Sequence, residues 1–172
     1  TLPPSLEWLN CNQNELTNLP SLPNNLSKLE CRSNQIVALP TLPPTLEFID
    51  CSLNQLQNLP ALPSTLLHLQ CSNNTLMSMP PLPSALTYLN CRANPGITSL
   101  PTLNNSLITL DCADNGLTIL PALPSSLIYL DCSINQISQL PVLPTGLKSL
   151  GCGLNPINSL PINLPQLELL GV

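Results

Sequence analysis

The sequence predicts a solenoid: a stack of short coils that each add one strand to a parallel β-sheet, with extended or polyproline-II return paths and almost no helix. Three regularities lead there. Eight cysteines, Cys11, Cys31, Cys51, Cys71, Cys91, Cys112, Cys132 and Cys152, recur every 20 residues with a single step of 21, and so short a period marks stacked repeats. An asparagine follows each cysteine by three residues, from Asn14 to Asn155. Most units then return through Leu-Pro-x-Leu-Pro, as at Leu140, Pro141, Leu143 and Pro144.

The strand comes from alternation. In Tyr88-Leu89-Asn90-Cys91-Arg92, Leu89 and Cys91 fall on one face and their polar or aromatic neighbours on the other. Strands stacked about 4.8 Å apart turn the inner side chains into continuous columns. Six such columns are expected per unit, and in the seventh unit they are Leu127, Leu130, Cys132, Ile137, Leu140 and Leu143. Each buried aliphatic contributes roughly 1.5–3 kcal/mol. Ordering the backbone costs a comparable sum at about 1–2 kcal/mol per residue, so one unit should not fold alone. On the return path two prolines in four residues leave no room for an α-helix, because each lacks an amide donor and restricts its predecessor. The longer step, Asn94-Pro95-Gly96-Ile97, should form a tight bulge that leaves the next strand undisturbed. Asn104 stands where the second proline belongs, so the repeat is expected to be locally loosened there.

The whole unit, L-x-x-L-x-C-x-x-N-x-L-x-x-L-P-x-L-P, resembles the leucine-rich repeat with cysteine in its sixth position. The resemblance extends over essentially the entire chain, including a ninth partial unit in which Leu167, Leu170 and Val172 fill the expected places. It implies a leucine-rich-repeat solenoid, a horseshoe or right-handed superhelix, with the sheet on the concave face. The short units and the Leu-Pro-x-Leu-Pro return look like the bacterial subclass found in secreted effectors. The cysteine column resembles the ladder of internalin-type adhesins, where buried thiols pack without bridging. Residues 1–172 are expected to form one leucine-rich-repeat domain of eight full repeats and a ninth partial strand. The chain opens inside a repeat at Leu2-Pro3-Pro4, and repeat arrays need polar caps, so it is expected to be a fragment lacking them.

Composition narrows the partners. Net charge is −5 with only Lys28, Arg32, Arg92 and Lys148 as cations, which argues against nucleic acid, whose phosphates require clustered Lys and Arg. No apolar run approaches the roughly 18 residues of a membrane span, so no membrane insertion is expected. The abundance of proline would suit disorder, but 43% apolar residues in strict register favour order.

The even count of cysteines invites a disulfide reading. Neighbouring cysteines about 4.8 Å apart with parallel side chains do not match the roughly 3.5–4.5 Å between Cβ atoms that a disulfide prefers, so free buried thiols are expected. The straight line of thiolates argues against zinc as well, because four of them cannot converge into a tetrahedron. The asparagines are expected to hydrogen-bond backbone groups where the chain leaves the sheet. Asn25-Leu26-Ser27, Asn73-Asn74-Thr75 and Asn104-Asn105-Ser106 match a glycosylation pattern that a chain this rich in Asn and Ser produces by chance.

What remains faces outward, at three and one residues before the cysteine and one and two after it. The column three before reads Trp8, Lys28, Phe48, His68, Tyr88, Thr109, Tyr129 and Ser149, and it holds every aromatic residue and the one histidine. Strand propensity alone explains aromatics on strands but not on this face, whereas exposed Trp and Tyr commonly anchor interfaces. The other candidate contacts on these columns are Glu30, Arg32, Asp50, Arg92, Asp111 and Asp131, with Asp114 beside them in an acidic patch. Charge there could instead serve solubility. An enzyme finds little support, since His68 is the only histidine, the thiols are expected in a dry core, and the one conceivable carboxylate pair, Asp111 and Asp131, would stand on an open sheet. No cofactor is implied. The sequence therefore reads as a non-catalytic module that binds a host or other partner protein through its concave sheet. The resemblance places it in a bacterial protein that is secreted, displayed at the surface or delivered into host cells. The competing readings are a structural spacer, an engineered array without a ligand, and the substrate-recognition part of an effector whose catalytic domain lies elsewhere.

Overall fold

The computed structural model describes residues 1–160 and the strand at 169–171. Each unit contributes a three-residue strand: β1 (Trp8–Asn10), β2 (Lys28–Glu30), β3 (Phe48–Asp50), β4 (His68–Gln70), β5 (Tyr88–Asn90), β6 (Thr109–Asp111), β7 (Tyr129–Asp131), β8 (Ser149–Gly151) and β9 (Leu169–Gly171). They form one parallel sheet in chain order, and no helix occurs among the described residues. Register advances by one unit per strand, so Phe48 stands beside His68 and His68 beside Tyr88. Of the ninth unit, Leu170 lies in β9, while Leu167 and Val172 lie outside the described residues.

The inward columns follow the predicted pattern. Leu127, Leu130, Cys132, Ile137, Leu140 and Leu143 are all buried, and so are Leu107, Leu110, Cys112, Leu117 and Leu120 of the preceding unit, with Leu123 partly buried. All eight cysteines are free thiols, and every one but Cys11 is buried. Burial is the largest cause of their raised pKa values, which reach about 12 at Cys31, Cys91 and Cys132. The Cys51 Sγ points its proton at the Gln70 carbonyl oxygen, 3.4 Å away.

The strands end sooner than alternation suggests, because the second residue after each cysteine is left-handed. Gln13, Ser33, Leu53, Asn73, Ala93, Asp114, Ile134 and Leu154 all have φ between 54 and 57°. These positions were expected simply to face outward on the sheet; they are instead the pivot of a turn. A left-handed residue with a Cβ costs roughly 1–2 kcal/mol, and the return on that cost is the asparagine that follows. At Asn74 the side-chain amide donates to the Cys51 and Cys71 carbonyls, both at 3.1 Å, and to that of Ser72 at 3.3 Å. Its Oδ1 accepts from Leu56 N–H of the preceding unit at 3.0 Å. The same four contacts recur at Asn34, Asn54 and Asn135.

The longer step behaves as expected. Asn94 N–H donates to Asn115 Oδ1 at 2.9 Å, the Ile97 amide closes a turn on the Asn94 carbonyl, and Tyr88 still pairs with Thr109 in the next strand. Gly96 is required by space, since a Cβ there would lie 2.7 Å from the Leu76 carbonyl oxygen. Asn104 is a partial correction. Its turn bond to Leu107 N–H stretches to 3.4 Å, against 3.1 Å at Pro83 or Pro124, but its side chain adds bonds to the Pro83 carbonyl and Ser106 N–H, both at 2.8 Å. The lost proline is compensated rather than left as a loose joint.

Replacing Asn74 by Ala should therefore destabilise the fold by roughly 1–3 kcal/mol, since buried carbonyls and an amide lose their partner. Thermal unfolding of the variant checks this, and an unchanged midpoint would contradict the role assigned to the ladder.

Candidate binding surface on the sheet

The column three residues before the cysteine turns outward as expected, and in the N-terminal half its members touch one another. Lys28 Nζ sits between two rings, 5.0 Å from the Trp8 centroid and 4.9 Å from that of Phe48. Phe48 stacks on His68 at 4.5 Å and His68 on Tyr88 at 4.0 Å, the rings nearly parallel in both cases. The Trp8 indole N–H donates to Glu30 Oε2 at 2.6 Å, and Lys28 pairs with the same carboxylate at 3.3 Å. Parallel register makes this continuous stack possible, because identical positions on successive strands lie side by side. Such aromatic pairs contribute about 0.5–1.5 kcal/mol beyond their burial, so the column supports the sheet as well as decorating it. Trp8, 56% exposed, and Tyr129, 48% exposed, are the aromatics least covered by their neighbours.

The column one before the cysteine has a structural duty that the sequence pattern did not reveal. At Asn10, Asp50, Asn90, Asp111 and Asp131, Oδ1 accepts the backbone N–H two residues on, at 3.0–3.1 Å. This local bond caps the strand where it turns. A signal was available, because an Asp or Asn two residues before an amide at a strand end is the sequence mark of such a turn. Asp50, expected as an exposed contact, is corrected by this finding: it is only 8% exposed, and its carboxylate is held by Ser52 N–H and Oγ–H. Arg32 is exposed, whereas Arg92 lies 3.7 Å from Asp131, a pair exposed enough to contribute little. Burial is the main cause that raises the Asp111 pKa, with the Asp131 charge adding to it against the Ala113 amide and Arg92. Among the described residues no group of His, Cys, Asp and Glu is placed to hold a metal ion, and no helix is long and apolar enough to cross a membrane.

With this geometry, the chain matches YopM from Yersinia enterocolitica WA-314 with a TM-score of 0.97 and 38% identity, over 99% of this chain and 38% of that one. It belongs to the bacterial leucine-rich-repeat proteins. YopM from Yersinia pestis, described as a leucine-rich effector protein, matches with a TM-score of 0.86 and 33% identity over 98% of this chain and 55% of its own. The functional domain of InlJ from Listeria monocytogenes, which includes a cysteine ladder, matches with a TM-score of 0.81 and 29% identity over 97% and 39%. This repeat segment thus spans less than two thirds of each of these relatives. No protein-family model and no curated protein matches it.

In this leucine-rich-repeat sheet His68 is the one group poised to change charge near neutral pH. Burial between two rings lowers its pKa below 6.5, Lys28 pushes the same way, and Asp50 opposes. Its Nε2 lies 2.9 Å from Gln70 Nε2, so the neutral ring accepts from the amide and carries its proton on Nδ1. Because the folded pKa lies below the unfolded one, the neutral form is favoured by folding. Stability should be full above about pH 6.5 and decline as the pH falls below it. Thermal midpoints measured from pH 7.5 down to 5 should show this decline in the wild type and a smaller one in His68→Phe, and parallel curves would contradict it.

Proposed function

We propose that the chain is a non-catalytic protein-binding module that docks a partner protein on its concave sheet. The contacts are drawn from Trp8, Lys28, Glu30, Arg32, Phe48, His68, Tyr88, Arg92, Asp111, Tyr129 and Asp131. The supporting observation is the concentration of all four aromatics and the histidine in one outward column of a repeat whose inward columns are nearly uniform. A surface that varies while its scaffold repeats is where recognition can be written. The likeness to a Yersinia effector and to the InlJ functional domain supports a bacterial exported protein, either displayed or secreted like an adhesin or delivered into host cells. Residues 1–172 act as a single repeat domain within that protein.

The mutual stacking of Phe48, His68 and Tyr88 favours one competing reading, a spacer whose aromatics serve only the sheet. The two readings separate experimentally. In capture from host-cell extract, proteins retained by the wild type and by the convex control Val142→Ser, but lost with Phe48→Ser/Tyr88→Ser, would identify partners of the concave face. Removing two stacked pairs should cost about 1–3 kcal/mol without unfolding the chain. If no retained protein depends on the concave residues in a variant that remains folded, the spacer reading holds.

A further inference from the structure

The concave face is not uniform along its length. Over β6, β7 and β8 it opens into a hollow of about 510 Å³ whose lining includes Tyr129, Asp131, Ile134, Gly151, Gly153 and Leu154. It exists because the outward residues of the eighth unit are small, Ser149, Gly151 and Gly153 standing where Tyr129, Asp131 and Ser133 stand in the seventh. Asp131 leans into the space left by Gly151, with Oδ1 2.6 Å from where a Cβ would be.

Two features of this hollow are not demanded by the fold. Ile134 and Leu154 occupy left-handed positions, φ 54 and 56°, yet are 38% and 79% exposed. Asn73 and Asp114 show what suits that backbone, and a β-branched residue there is an outlier. The left-handed backbone recurs at this position in every unit, offset by the asparagine that follows, and Leu53 is 39% exposed at the same place; what sets the hollow apart is that two such aliphatics line it together. The second feature is charge. Asp111 and Asp131 are register partners on adjacent strands, where like charges repel. Their turn-capping bond does not require the charge, because Asn10 and Asn90 make the same bond as neutral amides. Arg92 is the only side chain ion-paired with Asp131 among the described residues, and it remains at 3.7 Å.

We propose that this hollow seats a cationic side chain, Arg or Lys, of the partner protein, with an aliphatic neighbour of that residue resting on Ile134 and Leu154. The inference rests on the concave-face reading above and narrows it to one place and one chemistry. A cation offsets the Asp111–Asp131 repulsion and can lie along the Tyr129 ring. A neutral occupant would strip water from two carboxylates without replacing it, and an anion would be repelled.

The probe is a random peptide library displayed on phage and selected against the folded chain, with selected peptides resynthesised and titrated calorimetrically. Enriched peptides should carry Arg or Lys beside an aliphatic residue, and citrulline in place of arginine should weaken binding by about tenfold or more. Asp111→Asn/Asp131→Asn keeps the capping bonds and should lose a similar factor. Ile134→Asn gives the sharpest sign, because it relieves the backbone and should raise the thermal midpoint while lowering affinity. Peptides without cations, no enrichment at all, or affinities indifferent to these variants would overturn the proposal. If binding responds to Phe48→Ser/Tyr88→Ser alone, the concave-face reading stands without the hollow; if it responds to no concave variant, both fall.

Discussion

A carboxamide buried in each of the five inner coils, from Asn54 to Asn135, is the constraint from which the rest of this structure follows. Each inner asparagine donates to carbonyls of its own turn and of the preceding unit, and accepts an amide from that preceding unit. Backbone groups leaving a strand inside an apolar stack have no water to turn to, so they must be met by a side chain that offers both donor and acceptor. Because each asparagine spans two units, it ties register to turn geometry. A coil that cannot bury its own apolar edge is thereby held against its neighbour at a fixed pitch.

The left-handed residue before each asparagine is the geometric cost of that arrangement. It ends the strand after three residues and aims the amide inward, and it recurs in all eight units whatever side chain occupies it. The same fixed path makes the outer columns line up, and alignment has opposite consequences at the two ends of the sheet. In the first five units, neighbours in the aromatic column stack and their charges pair, with Lys28 held between Trp8 and Phe48 and tied to Glu30. In the sixth to eighth units alignment instead brings two aspartates together beside small residues and two exposed aliphatics. The scaffold is one, but the surface it presents is stacked and charge-paired on one side and acidic and hollow on the other.

The parts of this fold legible in the sequence were those that depend on period alone. Strand, inward columns, free thiols, asparagine ladder and the bulge at Pro95-Gly96 all follow from counting residues from one cysteine to the next. What escaped depends on local side-chain and backbone geometry that a period does not carry. The left-handed turn was hidden because Gln13, Leu53 and Ile134 are not the Gly or Asn that usually announce one. Asp50 was read as a free charge because alternation gives its direction but not its bond to Ser52. Asn104 looked like a missing proline, and only its two side-chain bonds show how the turn survives. The candidate surface was legible as a column, but how its members divide between supporting the sheet and facing a partner was not.

The most direct measurement of the asparagine constraint is hydrogen exchange of side-chain amides followed by NMR. If the ladder holds the units together, the Nδ2 protons of Asn54, Asn74, Asn94 and Asn135 should exchange only through unfolding, at rates that follow denaturant in parallel with the backbone amides of Cys51, Cys71 and Cys91. Exchange of these protons as fast as those of the exposed Asn58 would contradict the account.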